Sequence, residues 1–202
     1  MKKQRIGIMG GTFNPIHYGH LMIAENAFEQ FELDQVIFMP TGHTPHKAYG
    51  GVEMTHHRCE MVKLAVASNP HFCVSTYEVE QTEVNYTYKT LQAVSAMYPE
   101  AEIYFILGAD SLFSFDKWKC PELICKQATI LAAVRDSLTE SKVDEQIALL
   151  KQQYKGTIYR LETPNFNVSS KIVRQRVENT KTIRYMVPEE VRDYIEKNQL
   201  YI

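Results

Sequence analysis

Apolar and polar positions along this chain switch repeatedly between short continuous runs and a helical period. Arg5–Met9 (RIGIM), Gln35–Met39 (QVIFM), Glu102–Leu107 (EIYFIL) and Ala128–Val134 (ATILAAV) are apolar runs that predict strands. The last two have no polar alternation, the pattern of strands covered on both faces. His71–Tyr77 and the short Thr157–Leu161 segment predict two more. Between these runs the period changes. Gly19–Leu33 carries Leu21, Ala24, Phe28 and Phe31 on one helical face. Thr55–Ser68 does so with Met61, Leu64, Ala65 and Ser68, and Thr55 stands as its N-cap. Asn85–Tyr98, capped by Asn85, is a further helix, followed by Glu140–Tyr154, Ser169–Glu178 and Pro188–Lys197.

Strands separated by helices require right-handed crossovers and give a parallel sheet. The expected fold is therefore α/β, a doubly wound, Rossmann-like parallel sheet with a small C-terminal helical extension. No repeat, low-complexity tract or linker interrupts it, so residues 1–202 read as a single domain with the part from about residue 165 packed on it. Ligands of such sheets bind beyond the carboxyl ends of the strands. That directs attention to Gly10–His20, Pro40–Lys47, Gly108–Trp118 and Arg135.

Composition narrows the class. With 202 residues, 45% of them hydrophobic, the chain can bury roughly 70% of its unfolded surface and needs no disulfide or structural metal. A formal net charge of −2 argues against nucleic acid as a partner. Cys59, Cys73, Cys120 and Cys125 form no C-x-x-C pair and fit reduced thiols in the cytoplasm. No apolar run approaches the ~18 residues that span a bilayer, so no membrane partner is expected. The basic N-terminus, MKKQRIGIMGG, breaks into glycines too early for a signal peptide.

The stretch from Gly10 to His20 (GGTFNPIHYGH) carries the most chemical information. It follows the first strand and opens the first long helix. Gly10 and Gly11 let the backbone turn tightly and approach a ligand. Free N–H groups at the helix start suit a phosphate, and His17 and His20 add donors for phosphoryl oxygens. The glycines match neither G-x-G-x-x-G nor G-x-x-x-x-G-K-[ST], which removes the dinucleotide-oxidoreductase and P-loop classes. No H-E-x-x-H accompanies the histidines, so a zinc site is poorly supported.

GGTFNPIHYGH resembles the signature of the (H/T)-x-G-H nucleotidyltransferase superfamily, and the whole chain is similar to bacterial nicotinate-nucleotide adenylyltransferases. Several separated motifs carry the likeness. Thr44-Pro45-His46-Lys47 is similar to P-P-H-K, and His57-Arg58 with Met61 to H-R-x-x-M. Tyr86-Thr87 with Thr90-Leu91 resembles S-Y-T-x-D-T-L, and Gly108–Leu112 with Trp118 resembles G-A-D-S-L…W. Val168–Arg174 resembles I-S-S-T-x-I-R, and Tyr185–Tyr201 the closing V-P…V…Y-I…L-Y segment. The chain departs at Asn85, Lys89 and Lys171, where the family has Ser, Asp and Thr, and Gln81 lies where an arginine is common. These departures bear on the acceptor pocket, not on the reaction.

The resemblance implies adenylyl transfer. The phosphate of nicotinate mononucleotide attacks the α-phosphorus of ATP and pyrophosphate leaves, with Mg2+ carried by the ATP phosphates. The nucleophile is already an anion, so alignment and charge stabilisation suffice without a general base. His20, at the helix start, is the expected donor to the α-phosphate. By resemblance, His17 serves the triphosphate and leaving group. Gly10, Gly11, Thr12 and Phe13 lie at the same turn and complete this half of the ATP site. Ser169 and Ser170 read as a helix cap, and with Arg174 one turn on they form a second anion site, implied to hold the β- and γ-phosphates. For nicotinate mononucleotide the implied residues are Thr12, Lys47, Tyr86, Thr87, Asp110, Trp118 and Arg135. Several of these have plainer roles open to them: Trp118 as core, Asp110 as a helix cap, Lys47 and Arg135 as solvated cations. His43, His56, His57 and His71 read as structural or solvated, and Arg58 receives no chemistry. No protein-held metal is implied, and self-association into a homo-oligomer is left open. The rivals are a phosphopantetheine adenylyltransferase, a cytidylyltransferase, or a catalytically silent nucleotide sensor.

Overall fold

The computed structural model describes residues 3–42, 51–134 and 140–202. The apolar runs form β1 (Arg5–Gly11), β2 (Gln35–Pro40), β3 (Phe72–Val74), β4 (Glu102–Gly108), β5 (Thr129–Ala133) and β6 (Ile158–Leu161). They make one six-stranded sheet in the order β3-β2-β1-β4-β5-β6, every neighbouring pair parallel. The helices are α1 (Tyr18–Gln30), α2 (Gly51–Val66), α3 (Tyr77–Glu80), α4 (Thr87–Met97), α5 (Ala109–Phe113), α6 (Pro121–Gln127), α7 (Glu140–Tyr154), α8 (Ser170–Glu178) and α9 (Glu189–Lys197).

Strand side chains alternate between two cores, one on each face of the sheet. Val36, Phe38, Ile106 and Leu131 meet α1, α2, α8 and α9 through Ala24, Met61, Val173 and Val191. Ile8, Ile37, Phe105 and Ile130 meet α4, α5, α6 and α7 through Leu91, Leu112, Ile124 and Ile147. This is the doubly wound, Rossmann-like sheet that the pattern predicts, and the C-terminal helices share the first core.

The strand order reverses between β1 and β4, and the ladder shows what this does locally. On the β2 side, β1 stays paired as far as Gly11↔Pro40. On the β4 side, pairing ends at Met9↔Ile106. Beyond Met9, therefore, β1 and β4 diverge, opening a crevice at the carboxyl ends of the strands.

Several element boundaries differ from the sequence expectation. The strand predicted over His71–Tyr77 is only Phe72–Val74, and Tyr77 already begins α3. Helix α2 starts at Gly51, so Thr55 lies inside it, where its hydroxyl accepts from the Arg58 guanidinium at 3.1 Å. Ser68 lies beyond the helix and is exposed. Asn85 is not the cap of α4. Tyr86 takes that position with an extended backbone, and its carbonyl accepts from Lys89 and Thr90. Ser169 does cap α8, accepting from the Ile172 N–H at 3.3 Å. Helices α3, α5 and α6 were not anticipated, because one or two turns carry too little periodicity to register.

Glu78 ties α3 to α4. Its Oε1 accepts from the Thr90 hydroxyl at 2.7 Å, while Oε2 has no partner among the described residues. Burial lifts this carboxyl above the ordinary range, with the Thr90 bond acting in the opposite direction. The folded chain thus holds this proton more tightly than the unfolded chain. The associated stability is complete below the unfolded-state value and declines as pH rises through the folded one. Glu78→Gln keeps an acceptor for Thr90 and has no charge to bury. Calorimetry from about pH 4 to pH 8 should show the variant's melting temperature gaining on wild type as pH rises. A constant difference across that range would mean that Glu78 titrates as an ordinary exposed carboxyl.

Candidate active site

At the end of β1 the chain turns through Thr12–Ile16 into α1. Phe13 takes a left-handed φ of 48° and folds its buried ring against Gly11. A Cβ on Gly11 would lie 2.9 Å from that ring, so the close approach requires glycine. Gly19 serves in the same way, since a Cβ there would lie 3.0 Å from His17 Nδ1. The His17 and His20 rings stack at 3.7 Å, 24° apart, and Phe13 meets His20 edge-on at 5.0 Å. His17 is buried and occupies the N-cap of α1; His20 is half-buried. The His17 backbone N–H donates to His20 Nδ1 at 3.3 Å. An accepting Nδ1 places the proton of the neutral ring on Nε2, so the helix start itself sets His20 as an Nε2–H donor.

The turn is held from behind by four side chains. Arg58 Nη1 donates to the Thr12 carbonyl at 2.7 Å, Arg174 Nη1 to the Asn14 carbonyl at 2.6 Å, and Ser170 Oγ to the Pro15 carbonyl at 2.8 Å. The Tyr201 hydroxyl donates to Asn14 Oδ1 at 2.6 Å. In a trans peptide the N–H points away from the carbonyl. Drawing the Thr12 carbonyl toward α2 therefore turns the Phe13 N–H the other way. Arg58 also donates from Nη2 to the Thr41 carbonyl at 2.7 Å, joining the segments that follow β1 and β2.

The crevice between β1 and β4 forms a cleft of about 220 Å³, lined among others by Gly10, Gly11, His20, Asp110, Ser111 and Trp118. Trp118 is both core and cleft wall: it packs on Phe105 at 6.1 Å and Phe115 at 5.5 Å while remaining half-buried. Asp110 sits in the first turn of α5, whose N-cap is Gly108, so it is not the cap. Ser170 and Arg174 belong to α8, which Ser169 caps, and both donate to carbonyls of the turn. Tyr86 and Thr87, at the start of α4, are not among the described residues of this cleft; Tyr86 lines a separate hollow with Tyr77 and Asn85. Lys47 and Arg135, with His43 and His46, lie outside the described residues. His57 Nδ1 lies 2.9 Å from the Tyr194 hydroxyl and links α2 to α9, and His71 stacks on Phe28, so these two act structurally.

Arg58, Asn14 and Tyr201 are the residues that sequence reasoning passed over. For Arg58 a signal existed. It stands three and four residues before the buried Met61 and Val62, a charge on the stripe that should be apolar. For Asn14 and Tyr201, 187 positions apart, no local pattern connects the pair. Among the described residues no group of three His, Cys, Asp or Glu side chains could hold a metal ion, and no helix is long and apolar enough to cross a membrane.

Residues 8–176 match the model of the cytidylyltransferase-like family. A curated sequence from Lachnoclostridium phytofermentans, named "Probable nicotinate-nucleotide adenylyltransferase", is 42% identical over 199 residues, covering 98% of this chain and 100% of its own length. One of the same name from a Thermoanaerobacter species is 39% identical over 201 residues, covering 99% and 95%. Among solved structures, Plasmodium falciparum nicotinic acid mononucleotide adenylyltransferase complexed with NaAD superposes with a TM-score of 0.78 over 98% of this chain and 97% of that one. Its sequence identity is 20%, so that likeness speaks for the fold. The chain belongs to the cytidylyltransferase-like family and, within it, to the nicotinate-nucleotide adenylyltransferases.

Proposed function

We propose that this protein transfers the adenylyl group of ATP to nicotinate mononucleotide, forming nicotinate adenine dinucleotide and pyrophosphate in NAD biosynthesis. The observation that carries this assignment is the meeting of Gly10, Gly11, His20, Asp110 and Trp118 at the strand-order reversal, in a chain whose full-length relatives bear that name. The names of those relatives favour nicotinate over a phosphopantetheine acceptor. Residues 1–202 act as one catalytic unit in this proposal. Free thiols at all four cysteines favour the cytoplasm.

The acceptor phosphate is itself the nucleophile, so the protein's work is alignment and stabilisation of charge. His20 donates from Nε2 to the α-phosphate as negative charge develops there, and His17 behind it fixes the ring plane and serves the leaving group. Gly10 and Gly11 admit the nucleotide close to the backbone, and the amides at Thr12 and Phe13 hold its phosphates. The N-terminus of α8, capped by Ser169, faces the β- and γ-phosphates together with Ser170 and the Arg174 groups not engaged by Asn14. A magnesium ion would be carried by the ATP phosphates and would neutralise their charge, with Asp110, a carboxylate of the cleft wall, available to its hydration shell. Trp118 offers a stacking face to the pyridine and Asp110 an acceptor for a ribose hydroxyl. Lys47 and Arg135 serve the acceptor phosphate; the acceptor reaches from the Trp118 cleft to the hollow at the start of α4, where the first amides, at Tyr86 and Thr87, serve the pyridine carboxylate.

Replacing His20 tests the electrostatic part. His20→Ala should fold normally and lose roughly 10²- to 10³-fold in kcat, the usual cost of one preorganised transition-state donor. A folded variant turning over within about threefold of wild type would reassign that role.

A panel of acceptors with ATP and magnesium, followed by pyrophosphate release and product identification, tests the reaction itself. Nicotinate mononucleotide should be preferred over its amide. The first turn of α4 has no acidic residue, and its leading N–H groups favour an anion. A carboxamide presents its own N–H donors to them, costing about 1–3 kcal/mol, or roughly ten- to a hundredfold in kcat/KM. Equal constants for acid and amide would remove this part of the pocket, and no pyrophosphate with either would remove the reaction.

A further inference from the structure

The last residues of the chain reach the catalytic turn. Helix α9 ends at Lys197, and the Leu200 N–H returns to the Ile195 carbonyl at 3.1 Å while the Leu200 side chain is buried. Gln199 and Tyr201, on either side of it, both take left-handed backbone conformations, with φ of 50° and 68°. Non-glycine residues adopt that region at a cost and hold it only where the surroundings determine it. Here the consequence is that Tyr201 is aimed inward, and its hydroxyl meets Asn14 Oδ1 at 2.6 Å. Burial holds the phenol well above the ordinary tyrosine range, so it keeps its proton; Arg174 and Arg58 lie close enough to oppose that shift. With cationic groups near its oxygen, the phenol directs that proton to Asn14.

We propose that Tyr201 is a positioning residue for the reaction, acting through Asn14. Resting on the adenylyl-transfer assignment above, the inference has a definite geometry. Asn14 is held at two points, its carbonyl by Arg174 and its Oδ1 by Tyr201. A primary amide held at Oδ1 has one orientation left, with Nδ2 turned the other way. Among the described residues nothing accepts from Nδ2, and it is not a buried atom. Asn14 thus keeps Nδ2, with its two N–H donors, unengaged by the protein at the turn between Phe13 and His17, where a nucleotide phosphate oxygen is a fitting acceptor. Without the Tyr201 hydroxyl, the amide can rotate and show its oxygen to that same oxygen, which repels it. The segment after α9 and the Gly10–His20 turn are in this way one device.

Tyr201→Phe removes the hydroxyl and leaves the packing. We expect kcat to fall about tenfold, with KM for both substrates within about twofold, the pattern of lost orientation rather than lost ground-state binding. In an Asn14→Ala background the same substitution should change kcat by less than about twofold, because the residue it acts through is gone. Equal effects in the two backgrounds, or an unchanged kcat in the first, would overturn the inference. Amide hydrogen exchange supplies a readout that needs no turnover. Tyr201→Phe should speed exchange over residues 12–17 and leave 189–197 as in wild type. Faster exchange confined to the C-terminal helix, with the turn unchanged, would mark Tyr201 as packing only. Failure of wild type to release pyrophosphate would sink the assigned reaction while leaving the exchange result to decide on Tyr201.

Discussion

A single guanidinium with no exposed surface, that of Arg58, joins the two strand ends on which this site is built. Removing such a cation from water costs several kcal/mol, and only well-formed hydrogen bonds offset it. Arg58 has them: two carbonyls at 2.7 Å, one after β1 and one after β2, and the Thr55 hydroxyl on its own helix. A planar fork can satisfy both carbonyls at once, where the point charge of a lysine reaches one. Backbone beyond a strand has lost its ladder partners, and here a core side chain supplies them. The consequence is that the Gly10–His20 turn is fastened to the interior of the molecule rather than carried as a surface loop.

What this fastening does for chemistry is preorganisation. Phosphoryl-group transfer asks the protein for fixed dipoles more than for reactive groups. The carbonyls of Thr12, Asn14 and Pro15 all accept side-chain donors. Gly11 and Gly19 let the Phe13 and His17 rings press against the backbone, and those rings fix the plane of His20. The His17 N–H then sets the His20 tautomer. Each contact belongs to the fold, and together they fix the His20 ring at the wall of the cleft with Nε2 as its donor atom.

The sheet was legible in the sequence because its strands are short, almost wholly apolar runs without a helical period, set between segments that carry one. The crevice followed from topology, and GGTFNPIHYGH marked its floor. Legibility failed where the signal is short or distant. The strand expected over His71–Tyr77 exists at the sheet edge but is only Phe72–Val74, so its bounds were missed, and α5 and α6 are too short for a period to show. Asn85 looked like a cap by residue type, yet the chain gives that position to Tyr86, one residue later. Arg58 was visible as a charge on an apolar stripe, but only the fold says what it binds. Tyr201 and Asn14 could not be joined from sequence, since their bond depends on how α9 lands on the first core.

The dependence of the turn on Arg58 is tested most directly by kcat/KM for Arg58→Lys, measured at a temperature where its circular dichroism is that of wild type. Lysine keeps the charge and loses the fork, so one of the two carbonyls is left without its donor. kcat/KM should fall at least about tenfold, through the turn rather than through unfolding. Wild-type kcat/KM in a folded Arg58→Lys protein would contradict it, and would mean that the turn holds its shape without the clamp.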